Sequence, residues 1–165
     1  MMFSETLRPK EVMNKMNKST STCLFLLLSL VITGTAQAHH SFAMFDRSQE
    51  LLLGGTVVRW AFNSPHIAMY METEDGTLYS FEGAAPPSLL SSNPPMNGFT
   101  FQPGDKIRVV YCPLHDGRPG GAVGYIIDEE GAYYSPNDGG CEPSPDWPDW
   151  VEMGYTNRAE AEAND

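Results

Sequence analysis

The sequence predicts an all-β fold, a small OB-like barrel of five strands with a short helical connection between strands 3 and 4. One observation is a series of short apolar and β-branched stretches separated by Gly-, Pro- and Asp-containing turns. Another is a proline-rich stretch, with room for a helical turn, between the third stretch and the fourth. Three strands, a short helix and two more strands follow one another in this order in an OB-type barrel. An open five-stranded sheet or a small sandwich is the alternative.

The first three predicted strands cover residues 51–62, 66–73 and 77–82. Their side chains are mostly apolar, aromatic or β-branched, which favours strands. The pair Gly54-Gly55 suits a bulge or a sharp bend inside the first strand. The pair Asp75-Gly76 is a hairpin signal between the second strand and the third.

The predicted helical turn covers residues 86–90, with proline in its first turn, and two further strands cover residues 106–112 and 122–127. Residues 113–121 between these last strands are predicted to form a loop. Because closure removes the free edges of the sheet, the loops at the rim of the barrel become the natural binding surface.

Residues 1–38 are predicted to be a cleavable signal peptide. Basic residues precede an apolar run at residues 23–32, and Ala36-Gln37-Ala38 forms a small-residue exit. The run is too short to span a bilayer, which requires about 20 apolar residues, so a retained membrane anchor is the weaker alternative. We therefore expect a periplasmic or secreted protein with no stable membrane insertion after cleavage. The mature chain divides into a β domain, residues 39–134, and an acidic tail, residues 135–165.

Charge excludes some classes of partner. The whole chain carries a formal charge of −11, and removing the four basic and two acidic residues of positions 1–38 leaves −13. A field of this sign repels phosphate backbones and anionic membranes, so nucleic-acid binding is disfavoured. A small ligand, a cation or another exported protein stays a possible partner.

Two cysteines, Cys112 and Cys141, remain after cleavage and are predicted to form a disulfide in an oxidising compartment. This bond would close a loop of about 29 residues and stabilise the fold by roughly 3 kcal/mol. Two independent thiols are the alternative. In the tail, Trp147 and Trp150 either pack back on the barrel or form a surface that binds a partner.

The four histidines are the candidate metal ligands. Cleavage after Ala38 gives His39 a free α-amine beside its imidazole, an arrangement that chelates Cu(II), and His40 follows directly. His66 stands at the rim of the predicted barrel and could complete the site, with His115 as an additional ligand. Copper is the expected metal and zinc the second choice. Alternatively, the first two histidines form a disordered end, His66 caps its turn and His115 is an exposed loop residue.

The sequence holds no strong sign of an enzyme. It lacks a G-x-S-x-G elbow, a phosphate-binding glycine loop and an H-E-x-x-H motif. Glu82 follows the third strand and could face the rim, yet no neighbour in the sequence makes it a general acid. The run Asp128-Glu129-Glu130 is typical of a solvated turn.

Five short segments, taken in order, resemble a family of exported bacterial proteins that is classified only as a domain of unknown function. They are residues 38–46 (AHHSFAMFD), 55–58 (GTVV), 63–66 (NSPH), 103–105 (PGD) and 116–121 (DGRPGG). The resemblance implies a compact, periplasmic β-barrel domain and brings no established activity, substrate or cofactor.

The motif histidines of this family correspond to His39, His40 and His66. Two features depart from its pattern. Ser64 interrupts the N-P-H tripeptide, and residues 83–99 are proline-rich where the family looks more helical.

The leading hypothesis is therefore an exported accessory module that binds a metal ion or a small ligand, with copper held through the mature N-terminus. The first alternative is a structural subunit that docks an exported partner through its strands and its tryptophan-bearing tail, with no metal. A metal-dependent enzyme is the third.

Overall fold

The computed structural model describes residues 42–164, so the predicted signal peptide and the pair His39-His40 lie outside the described residues. The described chain begins with a 3-10 turn at Phe42–Met44. Six strands follow, β1 (Leu51–Ala61), β2 (Ala68–Glu72), β3 (Leu78–Glu82), β4 (Lys106–Pro113), β5 (Gly120–Ile127) and β6 (Tyr133–Tyr134). Three short helices accompany them, α1 (Pro86–Leu89), α2 (Trp147–Glu152) and α3 (Arg158–Glu162).

The strands form one sheet in the order β3-β2-β1-β4-β5-β6, and a parallel pairing of β3 with β5 closes the first five into a barrel. The other pairings are antiparallel. Helix α1 lies between β3 and β4. The predicted all-β, OB-like barrel with a short helical connection is therefore confirmed.

Strand β1 pairs with a different neighbour along each half of its length. Its first half pairs with β4 from Leu51 to Thr56, and its second half pairs with β2 from Thr56 to Ala61. A Cβ atom on Gly55 would lie 2.6 Å from the backbone oxygen of Glu72, so a side chain here would force β1 and β2 apart. The bulge predicted at Gly54-Gly55 lies instead between Val57 and Arg59, where the pairing of β1 with β2 shifts register.

The barrel closes at Gly120 and Gly121, which pair with Ser80 and Phe81 of β3. Both glycines were predicted to lie in the loop of residues 113–121, and this boundary is wrong because β5 begins at Gly120. A Cβ atom on Gly120 would collide with the Ser80 carbonyl, and one on Gly121 with the Cys112 carbonyl. These two glycines were interpreted as turn formers, but they are needed because the backbone of β5 lies very close to its neighbouring strands.

The barrel interior is filled by apolar side chains from all five strands and from the connection between β3 and β4. They include Val57, Ile67, Met69, Met71, Phe81, Leu89, Met96, Val109, Val123 and Ile126, each at most 2 % exposed. Burial of this apolar surface is the main force that holds the barrel closed.

Residues beyond β6 pack on the outside of the barrel. Trp147 and Trp150, 7 % and 1 % exposed, form a second apolar cluster with Val110 and Ile127. The Trp147 ring stacks on Tyr125 at a centroid distance of 4.4 Å. Both tryptophans therefore pack back on the barrel, one of the two arrangements expected from the sequence.

A disulfide and a buried carboxylate fix this segment. Cys112 in β4 is bonded to Cys141 with an S–S distance of 2.04 Å, so the predicted disulfide is confirmed. Glu50, 8 % exposed, accepts hydrogen bonds from the backbone N–H (3.0 Å) and the hydroxyl (2.9 Å) of Ser144. It also accepts a hydrogen bond of 3.3 Å from Arg158 at the start of α3.

The disulfide fits a protein that folds outside the cytoplasm, where such bonds form and persist. Within residues 42–164, no helix has both the length and the apolar character needed to cross a membrane.

Candidate metal centre

His66 lies in the connection between β1 and β2, two residues before β2 begins. The backbone next to it is held in place, since Ile67 N–H donates to the Ala84 carbonyl (3.1 Å) and Gly83 N–H donates to the Ile67 carbonyl (3.2 Å). These two bonds extend the pairing of β2 with β3 beyond the strand ends. They therefore fix the His66 backbone beside Glu82, the last residue of β3.

Asp138 reaches the same place from the segment after β6. Ala84 N–H donates to the Pro136 carbonyl at 2.7 Å, which holds this segment against the end of β3. The Asp138 carboxylate accepts the Gly140 N–H through Oδ1 at 3.0 Å, so its orientation is set by the local turn. The disulfide at Cys141, three residues later, ties the turn to β4.

The carboxylates of Glu82 and Asp138 both lie close to Nδ1 of His66. This atom lies 3.2 Å from Asp138 Oδ2, 3.7 Å from Glu82 Oε1 and 2.9 Å from the Gly83 carbonyl oxygen. The ligand atoms that His66, Glu82 and Asp138 can offer all lie within 4.8 Å of one another. The side chains are 18 %, 41 % and 13 % exposed, so the cluster is sheltered and still open to solvent on the Glu82 side.

These separations match the spacing of donors around a small metal ion. Two ligands at about 2.1 Å from an ion lie about 3.0 Å apart at a right angle and about 3.4 Å apart at the tetrahedral angle. The distances from Nδ1 to the three surrounding oxygen atoms, 2.9 to 3.7 Å, cover that range. The Gly83 carbonyl can only accept, so the tautomer with a proton on Nδ1 donates a hydrogen bond to it, whereas the tautomer without that proton presents a lone pair to this space.

The donor set is one imidazole nitrogen, two carboxylates and a nearby backbone carbonyl. Imidazole with carboxylates suits the later divalent transition metals, zinc and copper included. The two carboxylates balance the charge of a divalent cation, which removes most of the cost of holding it in a partly buried site.

The structure brings one predicted ligand, His66, into the cluster. His115 lies elsewhere, in the β4–β5 loop, 58 % exposed and 4.0 Å from Asp46 Oδ2. The pKa of the Asp46 carboxyl is lowered mainly by hydrogen bonds from Ser48 and Gln49. His39 and His40 precede the described residues, so their part in any site stays a sequence-based prediction.

Two acidic members of the cluster were not recognised as ligands from the sequence. Glu82 was noted as a rim residue without a partner. Asp138 was missed because it stands 72 positions after His66 in a segment assigned to the tail. The signal that could have identified Asp138 is the run Asn137-Asp138-Gly139-Gly140, which is typical of a tight turn. This run lies next to Cys141, the residue that the disulfide joins to the barrel.

Trp147 and Trp150, the predicted partner-binding residues, do not contribute to the cluster. Their rings are buried against the outside of β4 and β5. Binding of a partner by this segment stays a prediction.

A family model described as a family of unknown function, DUF6152, matches residues 27–123. The match includes His39, His40, His66 and Glu82, and it ends before Asp138. No curated protein matches the chain, and no solved structure matches it.

Proposed function

The chain belongs to DUF6152, a family of unknown function, and we propose from its residues that it is an exported metal-binding module. His66, Glu82 and Asp138 would hold one divalent transition-metal ion at the barrel rim, with copper or zinc as the metal. The proposed location is the periplasm or the extracellular space, which agrees with the disulfide and with the predicted signal peptide.

One observation carries the proposal: three ligand atoms from distant parts of the chain lie within 4.8 Å of one another. Bringing two carboxylates close together is unfavourable unless a positive charge lies between them. A divalent metal ion would supply that charge. The strongly negative charge of the chain, −11, also raises the local concentration of cations.

Each residue has a defined part in the proposed site. His66 would donate Nδ1 to the metal. Asp138, with one oxygen fixed by Gly140 N–H, would present Oδ2 as a preorganised ligand. Glu82 is the most exposed of the three and would close the site on the solvent side, leaving a coordination position beside it. The Gly83 carbonyl is near enough to serve as a fourth ligand.

Calorimetric titration of the mature protein with Zn(II) and Cu(II) tests the proposal. Asp138→Asn and Glu82→Gln keep the shape of each side chain and remove its charge, so each is expected to weaken zinc binding by at least tenfold. The matched controls are the exposed acids in Asp116→Asn and Glu130→Gln, which should bind zinc like the parent protein.

A second pair of variants compares the histidines. His66→Asn should abolish zinc binding at this site, and His115→Asn should leave it unchanged. The proposal is wrong if the parent protein binds no zinc, or if the three cluster variants bind it as tightly as their controls. Circular dichroism of each variant establishes that the barrel is intact before the titration is interpreted.

A further inference from the structure

A cavity of about 340 Å³ adjoins the cluster and shares Glu82 with it. Its volume falls in the range of small-molecule sites, about 300–1,000 Å³. Apolar and polar groups both contribute to its wall, as in most ligand sites. The lining residues include Phe45, Ser80, Glu82, Leu114 and Arg118.

The cavity lies where OB-type barrels usually bind ligands. In that architecture the β1–β2 and β4–β5 loops flank the binding face. Here the β1–β2 connection carries His66, and the β4–β5 loop supplies Leu114 and Arg118 to the cavity wall. The cluster and the cavity therefore belong to one face of the barrel, with Glu82 between them.

Arg118 gives the cavity wall a fixed positive charge. Its Nε donates to Asp116 Oδ2 at 2.8 Å, and its backbone N–H donates to Asp116 Oδ1 at 3.1 Å, while the side chain is 68 % exposed and its other donors can reach a ligand. The guanidinium has five N–H donors and matches the geometry of a carboxylate. An anionic group is thus the natural polar partner for this wall.

The charge of the cavity depends on the metal. With no metal, the carboxylate of Glu82 repels an anion from the wall that it shares with the cluster. A divalent ion held by Glu82, Asp138 and His66 would offset both carboxylates and leave a coordination position facing the cavity. Metal binding would therefore change this face from repelling an anion to attracting one.

We propose that the cavity binds a small organic acid whose carboxylate completes the coordination of the metal and whose apolar body packs against Phe45 and Leu114. Arg118, which also lines the cavity, adds positive charge that favours the ligand's carboxylate. This inference rests on the proposed function, because the metal ion provides the anchor for the ligand.

Benzoate is a suitable probe, since it combines a carboxylate with a compact apolar ring. The zinc-loaded protein is titrated with benzoate and followed by shifts in its NMR spectrum, beside the metal-free protein and a parallel titration with benzyl alcohol. Benzoate is expected to bind the zinc-loaded protein at least tenfold more tightly than the metal-free protein, and more tightly than the uncharged benzyl alcohol.

Two variants examine the cavity without touching the metal ligands. Arg118→Gln should weaken benzoate binding about tenfold, whereas Arg108→Gln, on an exposed residue of β4, should not. Ser80→Phe fills the cavity from an exposed position of β3 and should abolish benzoate binding, whereas Ser88→Phe on α1 should not. All four variants should bind zinc like the parent protein.

The outcomes separate this inference from the proposed function. If zinc binds as expected but benzoate does not bind, or binds equally without zinc or in Arg118→Gln, the organic-acid site is refuted and the metal site stands. If the parent protein binds no zinc, the proposed function fails and the inference fails with it.

Discussion

Replacing Glu50 is expected to destabilise the protein more than replacing any exposed acid, because its carboxylate is a buried hydrogen-bond acceptor. Glu50 is 8 % exposed and accepts two hydrogen bonds from Ser144 and one from Arg158. In Glu50→Ala, the N–H and hydroxyl of Ser144, itself 8 % exposed, lose their acceptor. Each orphaned buried donor costs about 1–3 kcal/mol, and the half-exposed pair with Arg158 adds up to about 1 kcal/mol.

The expected loss for Glu50→Ala is therefore about 2–7 kcal/mol in the free energy of unfolding. Glu50→Gln keeps one acceptor oxygen and the size of the side chain, so its loss should be smaller, about 1–2 kcal/mol. Urea unfolding followed by tryptophan fluorescence measures both values. The matched control is Glu74→Ala in the exposed β2–β3 turn, which should change stability by less than about 0.5 kcal/mol.

A loss below about 1 kcal/mol for Glu50→Ala would refute the reasoning, as would equal losses for the Ala and Gln variants. Because Glu50 does not contact the metal cluster, Glu50→Gln should bind zinc like the parent protein. A large change in zinc affinity would mean that the segment around Ser144 also positions Asp138.

Three further predictions concern the disulfide, a buried tyrosine and the mature terminus. Removing both cysteines, as Cys112→Ala with Cys141→Ala, should lower the free energy of unfolding by about 3–4 kcal/mol, because the unfolded chain regains the entropy of the 29-residue loop. Urea unfolding measures this loss, and a value under about 1 kcal/mol would contradict the prediction. Burial raises the pKa of Tyr111 from 10.0 to about 12, so its contribution to stability is complete below pH 10 and is lost as the pH rises through 12. Ultraviolet titration and melting between these pH values should show that Tyr111→Phe removes this alkaline loss, and an unchanged alkaline profile would argue against it. Adding one alanine before His39 should abolish the tight Cu(II) binding predicted for the free terminus while zinc binding at the cluster persists; equal copper affinity in both proteins would exclude a terminal chelate.

The succession of strands and helix along the chain was predictable because it depends on local signals. Alternating apolar residues and the Asp75-Gly76 hairpin fix the strands, and the proline-rich connection fixes the helical turn. The start of β5 at Gly120 was missed because a glycine pair after a proline occurs both in turns and where two strands lie very close together. Only the Ser80 carbonyl on the neighbouring strand distinguishes the two.

The candidate site was predictable in part. His66 was selected because a histidine after a turn at a strand end lies at the rim of a barrel. Asp138 could not be selected in the same way, because its position depends on a backbone bond between Ala84 and Pro136 and on the disulfide at Cys141. Neither contact leaves a periodic pattern in the sequence, so the tail looked separate from the barrel.

The disulfide has a consequence for the order of events during biogenesis. The cluster draws on positions 66, 82 and 138, and the segment that carries the last of these is tied to β4 by the disulfide. The proposed ligand set therefore requires the Asp138 segment to lie at the barrel rim, and we expect the bond between Cys112 and Cys141 to favour that state. If the proposed site binds a metal ion, a chain that has not yet formed this disulfide would bind the ion less tightly than the oxidised protein.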